Sequence, residues 1–297
     1  MNPNSGRPKT SDWGIGMTVC IAAICHVDEQ REAIVTASDQ MISTGHFSAD
    51  NLTTKIEPVH PNWETMFSAN DLSKVTPILG HVRVALKDKP AGLSQVRRAF
   101  LEAVRVEREL LAEELVLAPF SLTLETFLRD GLKNLGPQDF SSLVQKIESL
   151  SLGCQFLISG FGEQGEPHIL TVTDPAETSV HDLVGFWAIG SGQQSALSNM
   201  FFREYNRLLG IAPAIYHVCE SKFMAETAVG VGKLTFVSIH RFGKPRCYFL
   251  QHSVDELREV WEREVKRPAP TSIYGRILRS VQCFDQVSNS LKPLSPS

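Results

Sequence analysis

A chain of 297 residues with a formal charge of -4 and a pI near 6.2 carries no basic field that would draw it to nucleic acid or an anionic membrane. Its 42% hydrophobic and 21% charged content is that of an ordinary globular protein with ample material for a core. Charged residues interrupt every apolar run before it reaches bilayer length, which excludes a transmembrane helix.

The stretch from Met1 to Gly16 is polar, carries Pro3 and Pro8, and lacks the apolar core of a signal peptide. It reads as a disordered tail, as a short propeptide, or as the product of an upstream start codon with the true start at Met17. Residues 19–24 are continuously apolar with β-branched side chains at 19, 21 and 24, the pattern of a buried strand. A polar turn at 27–32 leads to a second strand at 33–38 and a loop at 40–50. A short strand at 52–57 carries Lys55 and is expected to end at Pro58 and Pro61. After a strand at 65–68, Asn70 or Asp71 caps a helix to about residue 86, with Pro77 as a potential kink. Residues 93–117 form a long amphipathic helix with a charged, solvated stripe, and 120–135 and 139–150 form two shorter helices.

A second group of strands is expected at 155–161, 168–172 and 184–189. Ser191 or Gly192 opens a helix to about 208, and Pro213 starts another to about 228. Strands at 235–239 and 247–251 form a final hairpin. A charged helix at 254–266, a further helix at 273–287 and a frayed tail from 293 complete the chain. This order, with short turns between strands, is α+β with antiparallel sheets and helices outside them.

Six scattered cysteines include no C-x-x-C pair, so reduced thiols in a cytoplasmic protein are the default. The sequon Asn51-Leu52-Thr53 is read as chance. Nine histidines show no metal-ligand spacing, and the Gly160-Phe161-Gly162 and Gly230-Val231-Gly232 runs lack a full dinucleotide fingerprint. No metal and no cofactor are expected.

The chemistry lies at the first strand. Thr18 opens it, Asp39 follows the second strand, and Lys55 lies 16 residues further on. Alone, Thr18 is an ordinary strand threonine, Asp39 a turn residue and Ser191 a helix cap. Together, a hydroxyl, an aspartate and a lysine are what an N-terminal-nucleophile hydrolase needs. The freed α-amine, titrating near pH ~8, serves as base. The lysine stabilises negative charge on oxygen, and the aspartate holds the lysine.

These residues, in this order and spacing, resemble those of proteasome β-type subunits, in the style of bacterial HslV and the proteasome-like homologue Anbu. Phe67-Ser68-Ala69-Asn70-Asp71 stands where that family runs from a strand into its first large helix. Ala188-Ile189-Gly190-Ser191-Gly192 is similar to its Gly-Ser-Gly turn. The resemblance covers about residues 17–250. It implies a four-layer αββα sandwich and Thr18 as nucleophile, with Asp39 and Lys55 beside it and Ser191 assisting the amine. A backbone N–H near Ser68 and Ala69 would bind the oxyanion. It implies a peptide or small amide substrate and a homo-oligomer. It also implies three segments: a tail at 1–17, a hydrolase domain at 18–252 with a helical insertion at about 105–150, and a C-terminal helical extension at 253–297.

Three departures stand out. Glu226 replaces an aspartate of the family and Val229 a serine; Met41 stands two after Asp39, where a basic residue is common. Met17, rather than glycine, precedes Thr18. Glu226 is expected to reach the site through its longer side chain. The alternative is a catalytically inactive scaffold of the same fold that retains residues 1–17.

Overall fold

The computed structural model describes residues 18–28, 31–44, 47–49, 55–87, 90–266, 282–285 and 290–293. The segment before Thr18, the sequon at 51–53 and the greater part of the helix expected at 273–287 lie outside the described residues. Two compact units divide the chain, Met1–Leu257 and Arg258–Ser297.

The larger unit is α+β, with two five-stranded antiparallel sheets. Its first sheet is built on β1 (Cys20–Asp28) and β2 (Arg31–Asp39), paired from Cys20↔Ser38 onward. Residues 19–25 are all fully buried, so both faces of β1 are covered and its sequence does not alternate. A short hairpin of β3 (Ile42–Thr44) and β4 (Phe47–Ala49) occupies the expected 40–50 loop.

The second sheet begins with β5 (Ile56–His60) and β6 (Trp63–Ala69). Pro58 does not end β5 as expected. The strand lies at the sheet edge, where a residue without an N–H costs no ladder bond on the open side. Asp71 caps a 3-10 turn over Leu72–Lys74, accepting from Ser73 N at 2.9 Å, and α1 (Val75–Leu86) follows. Pro77 sits in the first turn of α1, where N–H groups have no helical partner, and is accommodated there.

Next come α2 (Leu93–Ala112) and α3 (Leu124–Glu148). Non-helical Gly136, followed by Pro137, breaks α3 into two pieces that match the expected pair. Val116, Leu117, Phe127 and Leu143 give this helical segment a small core of its own. The second sheet resumes with β7 (Cys154–Phe161), β8 (Pro167–Thr173) and β9 (Glu177–Val180), giving the order β5-β6-β7-β8-β9.

β10 (Phe186–Ile189) returns to pair with β1. Then follow α4 (Gln193–Phe202), shorter than expected, α5 (Ile211–Ala225), β11 (Thr235–Arg241) and β12 (Cys247–Phe249). The first sheet therefore runs β10-β1-β2-β11-β12. α6 (Gln251–Glu264) spans the division between the units. In the smaller unit, β13 (Gln282–Asp285) and β14 (Ser290–Pro293) form a hairpin, so residues 282–285 are strand where a helix was expected.

Alternation along the strands sorts the core. Cys20, Ala22, Ile24 and Ile34 of the first sheet share a cluster with Met66, Leu157, Phe161 and Ile169 of the second. The intervening residues Phe156, Ile158, Leu170 and Val172 pack with Ile78, Val82, Val96 and Phe100 of α1 and α2. This two-residue period is that of a strand buried on both sides. Truncating Phe156, which is fully buried and 5.5 Å from the Phe100 ring, would cost about 3–5 kcal/mol. On the first sheet, α5 contacts β1 and β2 and also packs against α4.

Candidate active site

Thr18 lies two residues before β1, and the β1–β2 register carries Asp39 to its side. Asp39 N donates to Val19 O at 3.2 Å, and Val19 N returns a bond to Asp39 Oδ1 at 3.0 Å. Lys55 enters from a bend immediately before β5 rather than from within the strand expected at 52–57. Its Nζ donates to Thr18 Oγ1 at 2.6 Å and contacts Asp39 Oδ2 and Oδ1 at 2.9 and 3.0 Å. The Thr18 hydroxyl donates to Asp39 Oδ1. Thr18, Asp39 and Lys55 are 2%, 0% and 4% exposed. A lysine this buried requires a paired carboxylate, and Asp39 supplies it. Met41 N and Gly232 N donate to Asp39 Oδ2 at 3.1 and 3.3 Å, so main-chain groups from two loops fix the carboxylate plane.

Ser191 meets the main chain of Thr18. Its Oγ accepts from Thr18 N at 3.3 Å and lies 3.3 Å from Thr18 O and 2.9 Å from Val229 O. The approach depends on the flanking glycines. Gly190 has φ +93°, and a Cβ there would collide with the Thr18 carbonyl oxygen. At Gly192 a Cβ would come within 2.9 Å of the Val19 and Ala225 side chains. The Gly192 N–H donates to Thr18 O at 3.1 Å, closing the turn onto the threonine.

The structure thus brings Thr18, Asp39, Lys55 and Ser191 together. Glu226 departs from its expected role. Its carboxylate lies 2.5 Å from Lys222 Nζ in an i,i+4 pair, while the Ser191 hydroxyl faces the Val229 carbonyl. Val229 lacks a hydroxyl, yet its main-chain oxygen provides a polar partner, and the residue is 80% exposed. A main-chain acceptor carries no sequence signal. Lys222 is fully buried, a state that its charge does not signal. Its position four before Glu226 was the available clue.

Ser68 and Ala69 end β6, and the next N–H, that of Asn70, is engaged by Gly153 O at 3.1 Å. Cys20 lies one turn of the strand from Thr18, its Sγ 3.5 Å from Phe67 O. Burial, outweighing the nearby Lys55 charge, pushes its thiol up to about 12, so it stays protonated and inert.

Chemically, the arrangement holds one hydroxyl between a carboxylate and an ammonium, with the nitrogen of the same residue beside a serine hydroxyl. Among the described residues, no group of three or more His, Cys, Asp or Glu side chains is placed to hold a metal ion. No described helix is long and apolar enough to cross a membrane. No protein-family model matches the chain, and no curated protein matches it in sequence.

Proposed function

We propose that this chain is a proteasome-type threonine hydrolase that cleaves peptide or other amide bonds. The observation that carries the reading is Lys55 Nζ 2.6 Å from Thr18 Oγ1 while paired to Asp39. Removal of residues 1–17 frees the Thr18 amine. In its neutral form the amine takes the hydroxyl proton as Oγ1 attacks the substrate carbonyl. Lys55 stabilises the negative charge on oxygen, and Ser191 orients the amine. Collapse of the tetrahedral intermediate passes the proton to the leaving amine and leaves an ester on Thr18. Water, activated by the same amine, releases the acid and regenerates the hydroxyl. No cofactor enters these steps.

The two sheets with helices on their outer faces agree with the four-layer αββα sandwich of N-terminal-nucleophile hydrolases. The reading includes assembly into a homo-oligomer, as the resemblance implies. The free cysteines are consistent with a cytoplasmic setting.

The second reading, an inactive scaffold of the same fold, draws on Met17 in place of glycine and on the diversion of Glu226 to Lys222. Cleavage of a peptide library by the wild type and its loss in Thr18→Ala would support the hydrolase. Full activity in Thr18→Ala would remove Thr18 as nucleophile.

A further inference from the structure

Lys222 is a lysine with 0% side-chain exposure near the end of α5. An ammonium has three donors, and each has an acceptor here. Nζ lies 2.5 Å from Glu226 Oε1, 2.7 Å from Gly232 O and 2.8 Å from Lys233 O. The first acceptor stands at the start of the 226–233 loop and the other two at its end, so one cation pins both ends. Consecutive carbonyls of an extended chain point to opposite sides. Those of Gly232 and Lys233 instead converge on one nitrogen, a bend that the ammonium satisfies.

The same loop touches the Thr18 site at two points. The Gly232 N–H donates to Asp39 Oδ2 at 3.3 Å, and Val229 O lies 2.9 Å from Ser191 Oγ. Gly232 therefore binds Lys222 through its oxygen and Asp39 through its nitrogen. We infer that Lys222, neutralised by Glu226, is a positioning residue. It sets the 229–233 backbone so that Asp39 is held by Gly232 and the Ser191 hydroxyl by Val229. Without the ammonium, two carbonyls lose their donor and the loop relaxes. Asp39 then loses one of its N–H partners, and Ser191 is free to turn away from the Thr18 amine. The effect falls on the reacting groups and leaves substrate binding unchanged. The inference rests on the hydrolase reading for its catalytic consequence, though the loop geometry itself is independent of that reading.

Lys222→Met alone strands the Glu226 carboxylate and is a poor test if it fails to fold. Lys222→Met/Glu226→Met removes both charges, which commonly restores stability lost by breaking a buried pair. The experiment compares wild type, Thr18→Ala and the double variant by three readouts. These are the thermal midpoint, acylation of Thr18 by a p-nitrophenyl ester followed by intact mass, and amide hydrogen exchange at Gly232. The expected result is a double variant that stays folded, melting a few degrees lower because Gly232 O and Lys233 O lose their donor, and that is acylated about 10- to 100-fold more slowly at saturating ester. Its half-saturation is unchanged, its pH–rate profile is displaced, and its Gly232 amide exchanges faster. A double variant with wild-type acylation and wild-type Gly232 exchange would overturn the inference, leaving Lys222 as a mere counter-ion for Glu226. A wild type not acylated at Thr18 would sink the hydrolase reading. The Gly232 exchange would still decide the loop: unchanged protection in the double variant refutes the inference, and lost protection upholds it.

Discussion

Replacing Lys55 with methionine keeps most of the side-chain volume and removes the ammonium that contacts Asp39 and Thr18. The Asp39 and Lys55 side chains are 0% and 6% exposed, so the carboxylate cannot regain water. Removing one partner of a buried pair costs about 3–5 kcal/mol. Asp39 retains N–H donors from Val19, Met41 and Gly232, which places Lys55→Met at the low end, about 3 kcal/mol. For a unit of this size that lowers the melting temperature by about 6–12 °C. Lys55→Met/Asp39→Asn removes both charges and recovers most of the stability. Neither variant recovers catalysis, because the ammonium that stabilises negative charge at Thr18 Oγ1 is gone, a loss of about 100- to 1000-fold or more. Thermal unfolding and ester acylation of Thr18 check the two halves separately. A Lys55→Met protein that melts within about 1 °C of the wild type and acylates Thr18 at the same rate would refute the reasoning.

Gly190→Ala sets a Cβ against the Thr18 carbonyl at a positive φ; the conformation alone costs about 1–2 kcal/mol, and the collision adds to it. Lowered stability together with slower Thr18 acylation is expected, measured by denaturant unfolding and intact mass. His181 and His240 are buried, and desolvation holds each down at about 4. In the unfolded chain an imidazole titrates near pH ~6.5, so between these values the unfolded state binds more protons. Stability is therefore present above about pH 6.5 and lost as pH falls towards 4, by about 3 kcal/mol per histidine. Urea unfolding across pH 4–7 in wild type and His240→Phe should show a shallower slope in the variant; equal slopes contradict it. Glu64, 1% exposed, has its carboxyl pushed up by burial despite Arg246 Nε at 3.0 Å. Arg246→Met should destabilise by about 3 kcal/mol, and adding Glu64→Gln should return part of that, read by thermal melting.

What the sequence disclosed follows from which interactions leave a residue-level trace. Thr18, Asp39, Lys55 and Ser191 act through side chains, so their types and order were visible, and the structure places them within bonding distance. Val229 O and Gly232 N act through the main chain, to which residue type is nearly silent. Lys222 gave no signal of its burial, since an i,i+4 spacing to Glu226 does not reveal it. The sheets were legible where strands are long and apolar, as in β1 and β7. β9 escaped because it spans four residues and is mostly exposed. Pro58 misled because whether proline ends a strand depends on its being an edge, a property of the whole sheet. The break between the two halves of α3 was legible, because Gly136-Pro137 interrupts a helix wherever it falls.

The central claim is that Thr18 becomes an N-terminal nucleophile. Intact mass and N-terminal sequencing of the protein from its native host, before and after exposure to an activated ester, test it most directly. The account predicts a chain beginning at Thr18 that gains a single acyl group on that residue, with none gained by Thr18→Ala. A chain that retains residues before Thr18 and takes up no acyl group there would contradict it and leave the scaffold reading in its place.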